Sequence, residues 1–548
     1  MDGKDDQHGR ASALAPLSYP VFRSIWLASL ASNLGGVIQS VGAAWLMTSL
    51  TGSADMVALV QASTTLPVMV FALAAGAIAD NFDRRRVIFA AQLSMLTVSI
   101  MLAAFTYFGL IGPWLLLGLT FLLGCGNALN SPSWQASVGD MVPRDVLSPA
   151  IALNGVNFNL SRSIGPAIGG LIVATAGIAF AFLANALSYL PLLFTIFRWK
   201  YTKPPSNLPP ERMGDAMTAG LRYVAMSPHI ETVLLRSCVF GAAAIAVLAL
   251  LPIVSRDLPG GGPLLYGLLL GAYGVGAITG AFVGVTARET WSNESVCRVS
   301  FAMTGLGSSI VGLSGNAWLT ALGAFLAGTS WVAALSMFNV TVQLSTPRWV
   351  VGRAMALYQT ATFGGMALAS WIWGLLADRF NLETAFLAAA ALAFFGAMLG
   401  FRFPLPARPL DNLDPLNRWK APDLRLELQG RSGPVNVLIE YIVREADTRD
   451  FIKVMNERKR IRRRDGARQW ELLRDTERPD NWIESYHVPT WNDYVRHNQR
   501  RTQADAAVDD RIRALHAGAE PPRVHRMVVR PTDLHEVDQQ LKPPMDLG

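Results

Sequence analysis

The sequence predicts an all-α membrane protein of twelve transmembrane helices in two parallel six-helix repeats, followed by a soluble α+β domain. Three observations predict this architecture. Long apolar runs recur along the first 400 residues, the two halves of that region match at a fixed offset, and charge is concentrated after Trp419. Of the 548 residues, 51% are hydrophobic and 16% are charged, whereas about 25% are charged in soluble domains.

The charged residues are segregated along the chain. After Trp419 lie 24 of the 47 Lys and Arg and 22 of the 40 Asp and Glu, in less than a quarter of the length. This distribution excludes an all-soluble protein. The N-terminus "MDGKDDQHGRASALAPLS" has no signal-peptide pattern, so the first apolar run is expected to stay uncleaved. The three cysteines are scattered and form no disulfide or metal pattern, so neither a metal nor a cofactor is expected.

Each predicted span is an apolar run of the length that crosses a bilayer, which is about 20 residues. The runs begin near Phe22, Met56, Val87, Pro113, Leu147, Ile178, Thr232, Leu264, Val299, Trp318, Met355 and Leu382. With both termini cytoplasmic, thirteen Lys and Arg lie in inner loops, whereas two, Arg256 and Arg379, lie in outer loops. This asymmetry predicts that orientation in the membrane.

The two halves repeat in the same orientation. At an offset of 204 residues, Trp114 matches Trp318, Pro143-Arg144 matches Pro347-Arg348, and Gly76 matches Gly280. Parallel repeats of this kind are typical of transporters with a substrate site between the halves. The expected divisions are a cytoplasmic tail (1–17), a first bundle (18–198), a linker (199–229), a second bundle (230–403), a further linker (404–432), an α+β domain (433–531) and a C-terminal tail (532–548).

A charged loop follows the second apolar run, in "GAIADNFDRRRV" (Gly76–Val87). Its glycine, aspartate and basic run resemble the loop motif of the major facilitator superfamily, although Asn81 and Asp83 depart from it. The resemblance implies a charge latch between the halves on the cytoplasmic side. The gating motif comprises Gly76, Asp80, Asp83, Arg84, Arg85 and Arg86, and the resemblance carries the latch role to Asp80 and Arg84–Arg86. The alternative is simple anchoring by positive charge, which explains the arginines but not Asp80.

The fifth span contains "SRSIGPAIGG" (Ser161–Gly170), which resembles the antiporter motif of exporting members of that superfamily. The residues of this motif are Arg162, Gly165, Pro166, Gly169 and Gly170. Proline and glycine in a membrane helix free backbone carbonyls and permit close packing. The resemblance favours export, and the alternative is ordinary packing through small residues.

Arg162 lies fifteen residues into the fifth span, about 22 Å along a helix. A charge at that depth is costly, and such charges usually mark a substrate or ion path. We therefore expect Arg162 to act on substrate or in gating. The alternative is a structural arginine tied to backbone carbonyls.

Other polar side chains within spans are candidates to line a cavity. They are Asn33, Gln39, Gln61, Asn127, Asn130, Asn154, Asn157, Asn339, Gln343 and Gln359. No carboxylate lies deep in any span, so the resemblance alone favours proton antiport, with Asp55 and Asp378 as coupling candidates. No phosphate-binding loop is present, so nothing indicates direct use of ATP.

The soluble tail reads as strand, helix, two strands, helix and strand, an order that is ferredoxin-like. It resembles the dimeric α+β barrels of the antibiotic-biosynthesis monooxygenase group, which implies dimerisation through this domain. No spacing identifies a catalytic set. The run "ERKRIRRR" is interpreted as a solvated helix face or a contact with anionic membrane lipid. Binding of nucleic acid is not expected.

Taken over the whole chain, the length, "NFDRRR", "VPRD" and the tail resemble the transmembrane secretion effector branch of the superfamily, which contains the enterobactin exporter. The resemblance implies a non-enzymatic secondary transporter that exports a small organic molecule, siderophore-like or a drug, by alternating access. One alternative is a membrane-anchored enzyme, and another is a transporter-like sensor, with the activity in the tail. Deleting everything after Pro409 would separate these hypotheses.

Overall fold

A computed structural model describes residues 14–143, 146–199, 213–347, 349–406, 412–414, 416, 419, 422, 424–426 and 428–529. By its contacts the chain divides into two units. We call residues 1–213, 229–342 and 355–408 the transmembrane unit. Residues 214–228, 343–354 and 409–548 form the tail unit. The sequence predicts linkers at residues 199–229 and 404–432, but it does not predict that the two internal segments 214–228 and 343–354 group with the tail.

The transmembrane unit is built from long helices. In the first half these are α1 (Pro20–Leu50), α2 (Ala54–Asn81), α3 (Arg84–Tyr107), α4 (Pro113–Met141), α5 (Leu147–Thr175) and α6 (Ile178–Arg198). A shorter helix, α7 (Met213–Ala225), follows in the linker. In the second half they are α8 (Pro228–Asp257), α9 (Pro263–Thr290), α10 (Asn293–Leu313), α11 (Ala317–Leu344), α12 (Val351–Arg379) and α13 (Leu382–Leu399).

Within the described ranges, eleven of these helices are long and apolar enough to cross a membrane, namely α1–α4, α6 and α8–α13. Each predicted apolar run lies on one helix, and the run that begins near Leu147 lies on α5. That helix, which carries Arg162, is not among the eleven. A mostly helical, multi-span architecture is confirmed, and the count of twelve stays a prediction.

Local sequence explains where many helices begin. Pro20, Pro113 and Pro263 occupy the first turns of α1, α4 and α9, where the missing N–H is not needed. Asp83 caps α3 by accepting hydrogen bonds from the backbone N–H groups of Arg85 and Arg86. A residue of the predicted gating motif therefore fixes the start of a helix.

We call the side of the transmembrane unit where α1 begins the terminal face, and the side where α1 ends the opposite face. Successive helices are joined by short connections, so the even-numbered helices of the first half begin at the opposite face. The connections after α1 and α12, at 51–53 and 380–381, therefore both lie at the opposite face.

A buried ion pair joins the terminal-face ends of the second half. Arg236 of α8 is fully buried, and its guanidinium lies 3.3 Å from the carboxylate of Glu294 on α10. It also donates to the carbonyl of Phe403, at 3.1 Å, while the N–H of Leu405 donates to Glu294 at 2.9 Å. Removing one member of a buried ion pair leaves the other charge uncompensated. This cluster therefore holds the segment that follows α13, with Phe403 and Leu405, against α8 and α10.

The tail unit contains a four-stranded antiparallel sheet with helices. Its elements are β1 (Val435–Ile442), α14 (Thr448–Asp465), β2 (Arg468–Arg474), β3 (Asn481–Val488), α15 (Trp491–Gln499), α16 (Gln503–Leu515) and β4 (Arg523–Val528). The strand order is β2-β3-β1-β4, and Val435 of β1 pairs with Val488 on one side and Val528 on the other.

One predicted element of the tail is wrong. The sequence predicts a single helix from Thr490, whereas the chain forms α15 and α16. Thr490 caps the first of them as expected. Thr502 and Asp505 then form a reciprocal capping box, which satisfies the N–H groups of a new helix and so restarts it.

A network of buried charge lies under the tail sheet. The Glu484 carboxylate, fully buried, accepts from Arg458 (2.8 Å), Arg462 (3.1 Å), Tyr441 (2.9 Å) and Trp470 (3.0 Å). Burial opposes ionisation of Glu484, but the guanidinium groups of Arg458 and Arg462 outweigh it and lower the pKa to about 2. Each acceptor site is used, so the carboxylate is a structural centre of the domain.

The two internal segments pack on the tail through aromatic and cationic side chains. Tyr223 of α7 meets Trp349 edge to face, with ring centroids 5.7 Å apart. The guanidinium of Arg500 lies 4.1 Å from the centroid of Trp349, and that of Arg464 lies 5.5 Å from that of Tyr223. Burial raises the pKa of Tyr223 to about 12. No pattern along the chain predicted this docking.

Candidate functional site

Four of the predicted cavity residues carry side-chain amides without a hydrogen-bond partner in the described part of the chain. They are Gln61 on α2, Asn127 on α4, Asn154 on α5 and Gln359 on α12. Asn127 is exposed and the other three are half-buried. An unpaired amide in hydrocarbon costs about 2–7 kcal/mol. These four side chains therefore stay candidates to line a water-filled path.

Two others do not belong to an open cavity. Asn157 is buried and bonds to Asn33 (2.9 Å), to Ser29 (2.9 Å) and to the carbonyl of Trp26 (3.0 Å). Gln39 is also buried, and it accepts from Ser99 at 3.0 Å. These bonds join α1 to α5 and α3, so we correct the prediction for Gln39 and Asn157: they hold the first bundle together.

The remaining amides have partners as well. Gln92 of α3 donates to Asn130 of α4 at 3.3 Å. The side-chain amide of Asn33 donates a hydrogen bond to Asn157. Asn339 and Gln343 also have partners, and Gln343 belongs to the tail unit. These four residues are therefore weaker candidates for contact with a substrate.

The fifth-span motif makes close contacts on two faces of α5. A Cβ on Gly165 would lie 2.9 Å from Val37, and one on Gly169 would lie 3.1 Å from the Cα of Ile38, both on α1. A Cβ on Gly170 would lie 2.7 Å from the carbonyl of Pro263 on α9. A side chain at Gly165 or Gly170 would displace the neighbouring helix, and one at Gly169 would be tight. The motif therefore packs closely on a helix of its own half and on one of the other half.

Helix α9 contributes a matching glycine face that sequence reasoning missed. A Cβ on Gly267 would lie 2.6 Å from the carbonyl of Pro166, and one on Gly274 would lie 2.5 Å from the carbonyl of Arg162. Ser163 also donates to the carbonyl of Gly274, at 3.1 Å. The signal was available, since Gly267, Gly271 and Gly274 follow the i, i+4, i+7 spacing of one helix face.

Arg162 has a half-buried side chain, and its guanidinium lies 5.4 Å from the ring centroid of Phe158. Among the described residues no carboxylate pairs with it, and none of their backbone carbonyls accepts from it. Tyr273, buried on α9, lies within the electrostatic reach of Arg162, and its hydroxyl has no hydrogen-bond partner among the described residues. An uncompensated guanidinium beside an unpaired hydroxyl is suited to binding an anionic or polar group.

The predicted gating motif makes its described contacts within the first half. Arg84 lies 2.9 Å from Asp140 on α4, and Arg85 donates to the carbonyls of Ile196 and Phe197 at the end of α6. Arg86 is exposed and lies 3.8 Å from Asp83. Nothing described lies within 4 Å of a Cβ on Gly76, and the side chain of Asp80 falls outside the described part. A latch between the halves stays a prediction.

The two coupling candidates meet at the opposite face. The carboxylate of Asp378, at the end of α12, accepts from the backbone N–H of Ala54 at 2.6 Å and of Asp55 at 2.8 Å. The hydroxyl of Ser53 donates to Asp378 at 3.0 Å and also bonds to Asp55. Asp378 of the second half therefore caps helix α2 of the first half.

No group of three or more His, Cys, Asp or Glu among the described residues is arranged to hold a metal ion. From the contacts described above, the candidate site consists of Arg162, the four unpaired amides, the contact between α2 and α12, and the contact between α5 and α9.

Relatives of this chain are bacterial transporters. The enterobactin exporter EntS of Shigella flexneri is 27% identical over 404 residues, 70% of this chain and 91% of EntS. The multidrug efflux pump Tap of Mycolicibacterium fortuitum is 25% identical over 375 residues, 66% of this chain and 91% of the pump. The staphyloferrin A transporter of Staphylococcus aureus is 25% identical over 253 residues, 46% of this chain and 63% of that protein.

Solved structures of transporters share the fold. A bacterial homologue of the human lysosomal transporter Spinster, inward-facing and unoccupied, has a TM-score of 0.57 at 12% identity, covering 71% of this chain and 97% of the homologue. The POT family transporter PepTSo has a TM-score of 0.57 at 14% identity, covering 70% of this chain and 97% of PepTSo. At these identities the likeness concerns the fold alone.

The family model described as transmembrane secretion effector matches residues 11–532. These comparisons confirm a multi-span transporter rather than an enzyme. The chain belongs to the transmembrane secretion effector family of major facilitator superfamily transporters.

Proposed function

We propose that this protein exports small organic molecules, siderophore-like metabolites or drugs, across the bacterial inner membrane by alternating access. The observation that carries the proposal is the family match over residues 11–532, together with relatives that transport siderophores and drugs. Twelve spans in two repeats, with the terminal face and both termini in the cytoplasm, complete the proposed arrangement.

The proposed substrate path includes Arg162, Gln61, Asn127, Asn154 and Gln359. Their support is that each is polar, lies on a helix of the transmembrane unit and has no polar partner in the described part of the chain. A guanidinium that no protein carboxylate neutralises favours substrates with an acidic or strongly polar group. Catecholate and carboxylate siderophores have that chemistry.

Proton antiport is the proposed driving force, with Asp55 and Asp378 as the coupling candidates. Their support is position, because the two carboxylates share the hydroxyl of Ser53 where the halves meet. Protonating Asp378 would remove its charge from the start of α2 and weaken that contact.

We further propose that the tail is a ferredoxin-like domain that pairs with a second copy. The support for the fold is its element order and the strand order β2-β3-β1-β4. The support for pairing is the exposure of apolar side chains on its strands, with Ile442 and Leu473 each 47% exposed and Met527 50% exposed. The mass of the full-length protein in lipid nanodiscs tests this, since Leu473→Lys should convert dimer to monomer.

Transport is tested by efflux from cells with and without the gene. Cells loaded with a fluorescent drug or a catecholate siderophore should retain less of it when they express the protein, and a protonophore should abolish the difference. A chain truncated after Pro409 should still export; loss of export with intact membrane insertion would favour a sensor or an activity in the tail. Equal retention with and without the gene for every compound would contradict export.

A further inference from the structure

The loop motif of α2 has a second copy that lies at the opposite face. "GAIADNF" (Gly76–Phe82) ends α2, and "GLLADRF" (Gly374–Phe380) ends α12. The two stretches share glycine, alanine, aspartate and phenylalanine at the same four positions. In each, the aspartate is the last residue but one of its helix. Because α2 runs toward the terminal face and α12 away from it, the copies lie at opposite faces.

The copy on α12 is engaged with α2. A Cβ on Gly374 would lie 2.6 Å from the Cα of Asp55 and 2.8 Å from the Cβ of Ala58, so only glycine permits this approach. Four residues later, Asp378 accepts from two backbone N–H groups at the start of α2. These N–H groups have no partner within their own helix, and the helix dipole favours an anion there. Gly374 permits the short distance between α2 and α12, and Asp378 stabilises the contact through its two hydrogen bonds.

The contact between α2 and α12 continues toward the middle of the two helices. The thioether of Met69 would lie 2.9 Å from a Cβ on Gly364, and Thr360 donates to the carbonyl of Met69 at 3.3 Å. The described contacts between α2 and α12 therefore extend from the opposite face toward the middle of the two helices. In the α2 copy of the motif, a Cβ on Gly76 meets no described atom within 4 Å, so among the described residues this copy makes no such close approach.

We propose that Gly374 and Asp378 form the opposite-face gate of this transporter, as the counterpart of the α2 motif at the terminal face. The inference rests on the proposed alternating access. One copy of the motif is engaged in each state: Gly374 packs on α2 and Asp378 caps it while the terminal face is open. When the opposite face opens, the α2 copy engages and the α12 copy releases.

The test measures access from the opposite face to a buried cysteine in the full-length protein in membranes. Ala62 is buried and lies on the same α2 face as Asp55, Ala58 and Met69, so Ala62→Cys reports opening between α2 and α12. A membrane-impermeant maleimide is applied from that side, and labelling of the parent with its three native cysteines is subtracted. Asp378→Asn should raise labelling about tenfold, the shift from losing one charge-assisted hydrogen bond.

The matched control for charge is Asp257→Asn, which removes a carboxylate at the same face that pairs only with its neighbour Arg256 among described residues. It should leave labelling unchanged. Two glycine variants test the reciprocal design: Gly374→Val should hold the opposite face open and raise labelling, whereas Gly76→Val should hold it closed and keep labelling at the parent level or below.

Equal labelling of Asp378→Asn and Asp257→Asn would overturn the proposal, as would a rise in Gly76→Val that matches that in Gly374→Val. If Gly374→Val does not fold, Asp378→Asn still tests the gate, because this substitution keeps the size of the side chain. Labelling needs no substrate, so gating that behaves as expected in a protein that exports nothing would refute the proposed function and leave the gate standing.

Discussion

The guanidinium of Arg84 lies 2.9 Å from the carboxylate of Asp140, which joins the start of α3 to the end of α4. Both side chains are mostly buried, at 27% and 17% exposure. The basic run after the second span therefore stabilises its own half through this pair, besides any contact with lipid or with the second half.

We expect Arg84→Ala and Asp140→Ala to be non-additive. Each should lower the thermal unfolding midpoint, and a double-mutant cycle should give a coupling free energy of about 1 kcal/mol, at the upper end for partly exposed pairs. The cycle is measured in detergent at low and high salt. Arg86→Ala is the control, since Arg86 is 87% exposed and should leave the midpoint unchanged. Additive effects of the first two changes would contradict the pair.

Arg162→Ala should weaken export without unfolding the protein. The guanidinium has no carboxylate to neutralise it in the described part of the chain, so its loss strands no buried countercharge. We expect the concentration for half-maximal export to rise about tenfold for an acidic substrate, the value of one charge-assisted hydrogen bond. Arg162→Lys should weaken export less than Arg162→Ala does, because lysine keeps the charge but not the bidentate geometry. Unchanged export of every substrate would make Arg162 structural.

Local features of the fold were predictable from the sequence, because they depend on neighbours along the chain. Apolar runs gave the helices, and Thr490 gave the start of α15. The capping box at Thr502 was equally local, and it was missed because the polar run around it was read as one helix.

Features that depend on which helices meet were not predictable. Gln39 and Gln61 are both amides in apolar runs, yet Gln39 bonds to neighbouring helices, whereas the Gln61 amide has no partner in the described part of the chain. Nothing along the chain distinguishes them. Likewise, the sequence proposed Asp378 only as a carboxylate near a span end, and its partner lies more than 320 residues away.

Docking of the internal segments on the tail depends on Trp349. This ring contacts both Tyr223 and the guanidinium of Arg500. Trp349→Ala should remove an aromatic and a cation–π contact, each worth about 1 kcal/mol. We expect faster hydrogen exchange in α15, the helix that precedes Arg500, in the full-length protein. Trp318→Ala is the control, because Trp318 is 85% exposed. Unchanged exchange in α15 would contradict docking through Trp349.

Acid should destabilise the tail sheet. Burial and the neighbouring Arg462 guanidinium hold the pKa of His497 well below its ordinary value. In the unfolded chain that pKa is about 6.5. Because the unfolded state then binds more protons, the stability is fully present above about pH 6.5 and falls as pH drops below it. Glu484, with its pKa lowered to about 2, adds a second loss below about pH 4.3, the value in the unfolded chain.

Hydrogen exchange of β3 amides in the full-length protein, corrected for intrinsic rates, measures this loss between about pH 7 and about pH 5. His497→Gln is the matched variant. Its side-chain oxygen can still accept from Arg462, which lies 2.9 Å from the histidine ring nitrogen, but it does not titrate. Protection that falls equally in both proteins would mean that another group is responsible.

The glycine face of α9 offers a test of close packing with a control one turn away. A Cβ on Gly274 would lie 2.5 Å from the carbonyl of Arg162, whereas one on Gly271 would lie 3.8 Å from that of Ser163, an ordinary contact. Gly274→Ala should force α5 and α9 apart, at a cost of about 1–3 kcal/mol, as overpacking of a core does. It should lower the thermal midpoint and reduce export together, since the shift displaces Arg162. Gly271→Ala should leave both unchanged, because its methyl group fits. Equal effects of the two substitutions would show that α5 and α9 are not held this close in the membrane.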